Sequence, residues 1–245
     1  MASFHVERMA ATPKGHAKGH AQQLAVAVRR AEARELAAAA ALRAQTFYVY
    51  PPGREFAGRL HQRTKAAEEA ARLRRSSSSA AEACLVALTA DPAVAGALAA
   101  GGEDRRALLL GPEEALVGTA DVSLEPEPDQ VLYPDHDRGR GGAGSRVPAF
   151  LSNLAVADEA RRRGVAGALV AEARQAARGL GATDLYVVTL AINGKARALY
   201  EAAGFATVKE ETWSDASKRG GCLDGVEGQA RVVLLKDGRF AADVR

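Results

Sequence analysis

The sequence predicts a mixed α/β fold built as a single domain. Three observations carry that reading. Short apolar runs of strand length alternate with longer segments of helical pattern. Hydrophobic residues make up 47% of the 245, enough for a real core. Residues 150–205 read without a break as strand, basic glycine-containing loop, helix, strand, helix.

Residues 1–23 show no hydrophobic periodicity and read as a disordered basic tail. His16 and His20 lack a third ligand, so no metal site is assigned there. The tail has no secretory apolar core. The domain occupies residues 24–245. Residues 24–30 read as the first strand, and 31–44 as a helix on alanine content alone. The aromatic cluster Phe47, Tyr48 and Tyr50 is closed by Pro51-Pro52-Gly53. A charged helix is expected over 60–75, a turn over 76–79 and a strand over 84–88. Residues 90–105, starting at Asp91-Pro92, read as a mobile alanine-rich loop. Strands are expected at 106–110 and 115–124. Residues 125–147 are poor in apolar side chains and rich in Pro, Asp and Gly, and read as a mobile surface loop. The last strand pair falls at 207–213 and 230–236, around a third mobile loop at about 214–228.

Composition excludes several classes. The net charge of +3 is mild and the basic residues are scattered, so no nucleic-acid footprint is expected. No apolar run approaches membrane-spanning length. The two cysteines, Cys84 and Cys222, have neither metal nor redox spacing, which fits a soluble protein in a reducing compartment. Cys222 reads as an inert surface thiol. Trp213 is assigned to neither core nor groove.

The central stretch carries the chemistry. After the strand at 150–156 come Arg161, Arg162, Arg163, Gly164, Val165, Ala166 and Gly167, and a helix at 168–178 follows directly. A helix start leaves backbone N–H groups unpaired and carries partial positive charge. Glycines admit an anion close to the backbone, and arginines add forked donors. This predicts a pyrophosphate site. The Walker pattern is absent, and so is the G-x-G-x-x-G dinucleotide fingerprint; what stands is Arg-x-x-Gly-x-Ala over 161–166. A strand at 185–190 then leads through Asn193 and Gly194 into a helix at 195–203 containing Tyr200, closed by Gly204-Phe205.

The Arg-x-x-Gly-x-Ala loop after a Leu-Ala-Val strand resembles the acetyl-CoA loop of the GNAT superfamily of N-acetyltransferases. The Asn193, Tyr200, Gly204-Phe205 frame is similar to that family's closing motif. Residues 42–48 also resemble plant and algal plastid members. The resemblance covers residues 84–240 best. It implies a mostly antiparallel mixed sheet flanked by helices and splayed at its central strands. It implies acetyl-CoA as co-substrate and no metal. It places the pantetheine arm and the thioester oxygen against the backbone of Leu154, Ala155 and Val156. The pyrophosphate would lie on Arg161 to Gly167, with Asn193, Gly194 and Lys195 beside the cofactor. Tyr200 is expected to donate a proton to the departing thiolate, since a phenol titrates near pH 10. Asp121, Glu125 and Asp158 are carboxylates near the expected site, and none is assigned as general base.

The reaction implied is direct acetyl transfer to a primary amine, either protein N-terminal α-amines or lysine ε-amines, in a ternary complex. Small-molecule amines are the alternative acceptor, and a non-catalytic acyl-CoA-binding module the alternative class. A third possibility, another α/β nucleotide binder, lacks its fingerprints. The partner is a protein or peptide amine, with no nucleic acid and no membrane. The plastid stroma is the compartment the resemblance implies, with the cytoplasm as alternative. The aromatic cluster is either ordinary core or lining of an acceptor groove.

Overall fold

The structure is a computed structural model and describes residues 22–124, 147–212 and 231–240. Seven strands form one sheet: β1 (Ala27–Arg30), β2 (Glu82–Thr89), β3 (Ala115–Ser123), β4 (Pro148–Val156), β5 (Asp184–Leu190), β6 (Phe205–Glu210) and β7 (Val232–Asp237). Their order is β1-β2-β3-β4-β5-β7-β6. Only β4 and β5 pair in parallel; the other neighbours are antiparallel.

Six helices accompany the sheet among the described residues: α1 (Leu36–Phe47), α2 (Glu55–Ser76), α3 (Pro92–Ala100), α4 (Glu103–Arg106), α5 (Val165–Gly179) and α6 (Gly194–Ala203). Both faces of β3 are buried, and Thr119, Asp121 and Ser123 stand among its apolar residues. Gly118 faces α5, where an added Cβ would come within 2.9 Å of Leu169 Cδ1 and Val165 Cγ1. Thr119, the next residue, faces the other way and accepts from Arg43 of α1. α5 and α1 therefore cover opposite faces of the central strands. Leu169, Val170, Ala173 and Ala177 form the buried stripe of α5, at the helical spacing seen in sequence. Fully burying Leu169 contributes about 1.5–3 kcal/mol.

The structure departs from the sequence reading in three places. Residues 92–100 are a helix, not a loop: Asp91 caps it, its Oδ1 accepting from Ala93 and Val94 N–H, and Pro92 supplies the fixed φ of a first turn. The strand expected at 106–110 is absent. Arg106 closes α4, and only Leu109 makes an isolated bridge, to Ala115. The first strand is shorter than expected because Leu24 leaves the sheet: its N–H donates to Arg163 O at 3.0 Å, beside the start of α5. The loops expected at 125–147 and 214–228, the tail, Trp213 and Cys222 lie outside the described residues, apart from Gln22, Gln23 and Val147.

Candidate active site

The parallel pair β4–β5 is the point where the sheet opens. The two strands are in register from Pro148↔Asp184 to Leu151↔Val187 and no further. Beyond that, β4 continues against β3, through Ala155↔Thr119 and Val156↔Gly118, while β5 continues against β7 as far as Leu190↔Val232. A wedge opens between them. Leu154, Ala155 and Val156 form its β4 wall.

A bulge sits at the apex of the wedge. Ser152 pairs with Asp121 and Ala155 with Thr119, so two residues of β4, Asn153 and Leu154, stand opposite Ala120 alone. Asn153 takes φ +53°, the left-handed region that asparagine tolerates better than most residues. The bulge removes these backbone groups from the regular ladder, next to the wedge.

Because β4 and β5 are parallel, both run toward the mouth of the wedge, and a helix starts beyond each. α5 begins after Gly164, which adopts φ +87° as a left-handed cap without a side-chain bond. The first helical hydrogen bond is donated by Ala168 to Gly164 O, at 3.1 Å. The N–H groups of residues 162–167 have no partner among the described residues. An added Cβ at Gly167 would meet no atom within 4 Å, so the helix start is open to an approaching group. These are the conditions for an anion site at a helix N-terminus.

The three arginines separate in role. Arg162 is exposed, holds φ +63°, and has no ion-pair partner among the described residues. Arg161 donates through Nε to Val156 O at 3.1 Å and pairs with Asp158 at 2.6 Å. Arg163 turns away: Nη2 meets Asp91 Oδ2 at 2.8 Å and Nε donates to Gln22 O. Its side chain braces the loop. Glu159 is neutralised by Arg105, whose Nη1 also donates to Gln45 Oε1 at 2.9 Å. The loop thus offers unpaired donors and one unpaired cation, a set that fits a pyrophosphate.

At the β5 side, Asn193 caps α6, its Oδ1 accepting from Ala196 N–H at 3.1 Å. Gly194 and Lys195 are exposed at that helix start. Tyr200, on the buried side of α6, is 6% exposed and shares the main core with Ala155, Val156 and Leu154. Its ring lies 5.6 Å from that of Phe205. Its hydroxyl makes no hydrogen bond among the described residues, and burial pushes the phenol up to about 12. It is therefore neutral at any working pH, a donor without a competing acceptor.

A buried charge cluster behind the bulge was not visible in the sequence. Arg43 forks onto Asp121, with Nη1 to Oδ2 and Nη2 to Oδ1 both at 2.6 Å. Its Nη1 also meets Glu69 Oε1 at 2.6 Å, and its Nη2 meets Thr119 Oγ1 at 2.9 Å. Arg72 Nη2 donates to Asp121 Oδ2 at 2.7 Å, and Asn153 Nδ2 to the same oxygen at 3.1 Å. Burial alone would raise the Asp121 carboxyl, but the guanidiniums of Arg43 and Arg72 and the Asn153 amide together hold it at about 2. A carboxylate so held is a poor proton acceptor, which removes Asp121 as general base. Asp158 is committed to Arg161 on the phosphate loop, and Glu125 lies outside the described residues. The one available signal was Arg43 itself, a lone charge in the Ala/Leu stretch of α1.

Cys84 is no nucleophile: burial first, and then Asp121, push its thiol up to about 12. Among the described residues, no group of three His, Cys, Asp or Glu is placed to hold a metal. No helix among them is long and apolar enough to cross a membrane. The aromatic cluster is not core. Phe47 and Val49 are exposed, as are Phe56 and Leu60 on α2, while Tyr48 and Tyr50 pack edge-on against His61.

A sheet split between two central parallel strands, bulged at the split and faced by two helix starts, fits the class of proteins that take an extended phosphate-bearing co-substrate between their central strands. The family is now explicit: the chain belongs to the acetyltransferase (GNAT) family, whose sequence profile matches residues 80–205, just over half of the chain. It is an acetyltransferase, and the acyl donor of that family is acetyl-CoA. No curated protein matches the chain in sequence. Among solved structures, the fold is similar to NAA60 of Arabidopsis thaliana in complex with a bisubstrate analogue. That match has TM-score 0.53 and 14% identity, and covers 87% of this chain and 98% of that one. It is also similar to the spermidine/spermine N-acetyltransferase SpeG of Vibrio cholerae in complex with manganese ions (TM-score 0.51, 14% identity, 90% and 97% covered). An N-acetyltransferase from Staphylococcus aureus Mu50 aligns equally well (TM-score 0.51, 14% identity, 86% and 97% covered).

Proposed function

We propose that this chain moves the acetyl group of acetyl-CoA directly to a primary amine, and that the amine belongs to a protein or peptide. The observation that carries the first part is the wedge. Its mouth offers the unpaired N–H groups of residues 162–167 and the free Arg162 to a pyrophosphate. Its wall, Leu154 to Val156, runs inward from that mouth to the bulge.

In this reading each residue has a defined task. The N–H groups of Arg162 to Gly167 bind the pyrophosphate, with Arg161 and Arg162 adding charge. Leu154, Ala155 and Val156 hold the pantetheine arm through backbone groups. The bulge directs an N–H at the thioester oxygen, where negative charge develops. Tyr200 donates its phenolic proton toward the leaving sulfur. Asn193, Gly194 and Lys195 close the β5 side. Acetyl-CoA supplies the activated acyl group.

Charge supports this choice of acceptor class. On the α1–α2 face, a cavity of about 560 Å³ reaches Ser152, next to the bulge. Arg30, Arg72 and Arg75 line it, against the carboxylates of Glu82 and Asp121. Arg72 and Asp121 pair with each other, which leaves Arg30 and Arg75 against Glu82, a lining that disfavours a polycation such as the substrates named for SpeG. The exposed apolar turn at Phe47, Val49, Phe56 and Leu60 suits the side chains of a peptide. α-Amines and lysine ε-amines both fit this description. The plastid setting rests on the resemblance of residues 42–48 alone.

The test is acetyl-CoA turnover, read as released thiol and product mass. The panel holds peptides with a free N-terminus, N-terminally blocked peptides with internal lysine, and spermidine. Peptide turnover well above spermidine turnover is expected. The reverse order moves the acceptor to small amines. Tight acetyl-CoA binding without any turnover leaves a binding module.

A further inference from the structure

The charge cluster behind the bulge is buried, highly connected and without a direct part in acyl transfer. Asp121 is too strongly held to take a proton, and Arg43 is too deep to meet a substrate. What the cluster does touch is the one residue of β4 in a left-handed conformation.

We infer that Asn153, held by Asp121 within a clamp formed by Arg43 and Arg72, is a positioning residue that fixes the β4 bulge in the geometry required for acyl transfer. This role rests on the acetyl-transfer reading above. Three separate elements converge to impose it. α1 supplies Arg43, which grips both oxygens of Asp121. α2 supplies Arg72 and Glu69; Arg72 joins them through Nε to Oε2 at 2.9 Å and reaches Asp121 Oδ2 at 2.7 Å. β3 supplies Asp121, in register with Ser152, the residue before the bulge. The carboxylate is then fixed in orientation, and its Oδ2 receives the Asn153 amide at 3.1 Å.

The direction of the constraint can be read from what is sacrificed. Arg43 Nε is buried with no hydrogen-bond partner among the described residues, so the guanidinium is aimed to serve the carboxylate and not to satisfy all its own donors. Asn153 occupies a φ of +53°, where a side chain is disfavoured and glycine is the usual choice. An asparagine there combines tolerance of the left-handed turn with an amide that ties the turn down. A glycine would allow the turn but leave it free to relax. Misplacing a donor at a reacting carbonyl is costly, because such donors act only at the position where charge develops.

The test compares Asn153→Gly and Asn153→Ala with wild type on the best acceptor of the peptide panel. The readouts are kcat, the Kd for CoA by calorimetry, and Tm. Asn153→Ala must hold a disfavoured φ without its tie, and kcat should fall roughly tenfold or more, short of the 10²–10³ for complete loss of such a donor. Asn153→Gly regains access to the turn and should recover part of that loss. The Kd for CoA should stay within about twofold in both, since the phosphate loop is untouched. Should Asn153→Ala fail to fold, Asn153→Gly carries the test alone through the same split between kcat and Kd. Wild-type kcat per CoA-binding molecule in the variants, with only Tm lowered, overturns the positioning role and leaves a structural one. Loss of CoA binding in parallel with kcat overturns it too. A wild type that binds CoA but acetylates no amine overturns the transfer reading itself, and this role with it.

Discussion

Replacing Arg43 by methionine tests the buried cluster most severely. Methionine keeps much of the side-chain length and removes the charge. Removing one member of a buried ion pair typically costs 3–5 kcal/mol, because the partner charge stays behind unpaired. Here the partner is not left alone. Asp121 Oδ2 keeps Arg72 at 2.7 Å and Asn153 at 3.1 Å, and Glu69 keeps Arg72. Asp121 Oδ1 loses its Arg43 donor, and Thr119 Oγ1 loses a bond as well. The loss should therefore sit near the low end, about 3 kcal/mol, lowering Tm by roughly 6–12 °C for a chain of this size. The pH dependence gives an independent reading. Asp121 titrates at about 2 in the fold, against an ordinary value of 3.8. A depressed carboxylate stabilises the fold fully above its ordinary value, and the contribution is lost as pH falls through its folded value. That window, about pH 4 down to about pH 2, is worth about 2 kcal/mol in wild type. In Arg43→Met the carboxyl should rise and the component shrink. Urea unfolding of both proteins at about pH 7 and about pH 4, with acid titration of the folded state below that, measures both quantities. A loss under about 1 kcal/mol, with an unchanged acid dependence, would mean the pair behaves as a solvated surface bridge, and the reasoning would be wrong.

Other substitutions separate the parts of the site. Gly164→Ala forces a side chain onto φ +87° at the start of α5; it should cost about 1–2 kcal/mol and weaken acetyl-CoA binding measurably by calorimetry. Arg162→Gly relieves a left-handed arginine at φ +63°; stability should change by less than about 1 kcal/mol while the Kd for acetyl-CoA rises roughly tenfold and loses part of its salt dependence. Unchanged affinity would remove Arg162 from the phosphate site. Gly118→Val would drive a side chain into Leu169 and Val165; a loss of about 1–3 kcal/mol in urea unfolding is expected, and a neutral result would show α5 to be loosely seated.

What the sequence disclosed was local. The loop at 161–167 is legible as a strand–helix junction because glycine and arginine spacing acts over a few residues. Asn193, Gly194 and Gly204 are legible because helix caps are short-range devices, and Asn193 and Gly204 do cap α6. α3 replaces part of the loop expected at 90–105: alanine content alone does not separate loop from helix, and the Asp91 cap with Pro92 in the first turn decides for helix. The strand expected at 106–110 failed for a tertiary reason: an apolar run next to a turn made only one bridge. The clamp was out of reach in principle. Arg43 and Asp121 lie 78 positions apart, and no local pattern joins α1 to β3 across α2 and β2. The splay and the Leu154 to Val156 wall follow from the family resemblance, whereas Asn153 at the bulge was hidden, since an asparagine is ordinary in composition and informative only through φ and its partner.

The measurement closest to the central claim is acetyl-CoA turnover on the peptide panel by wild type and Tyr200→Phe, with acetyl-CoA binding measured on both. The account predicts that wild type acetylates a peptide amine. It also predicts that Tyr200→Phe binds acetyl-CoA as wild type does, and that its kcat falls by roughly 10²-fold, the scale of a lost proton donor. Undiminished kcat in Tyr200→Phe would remove the tyrosine from the chemistry, and absence of acetyl-CoA binding by wild type would contradict the account at its root.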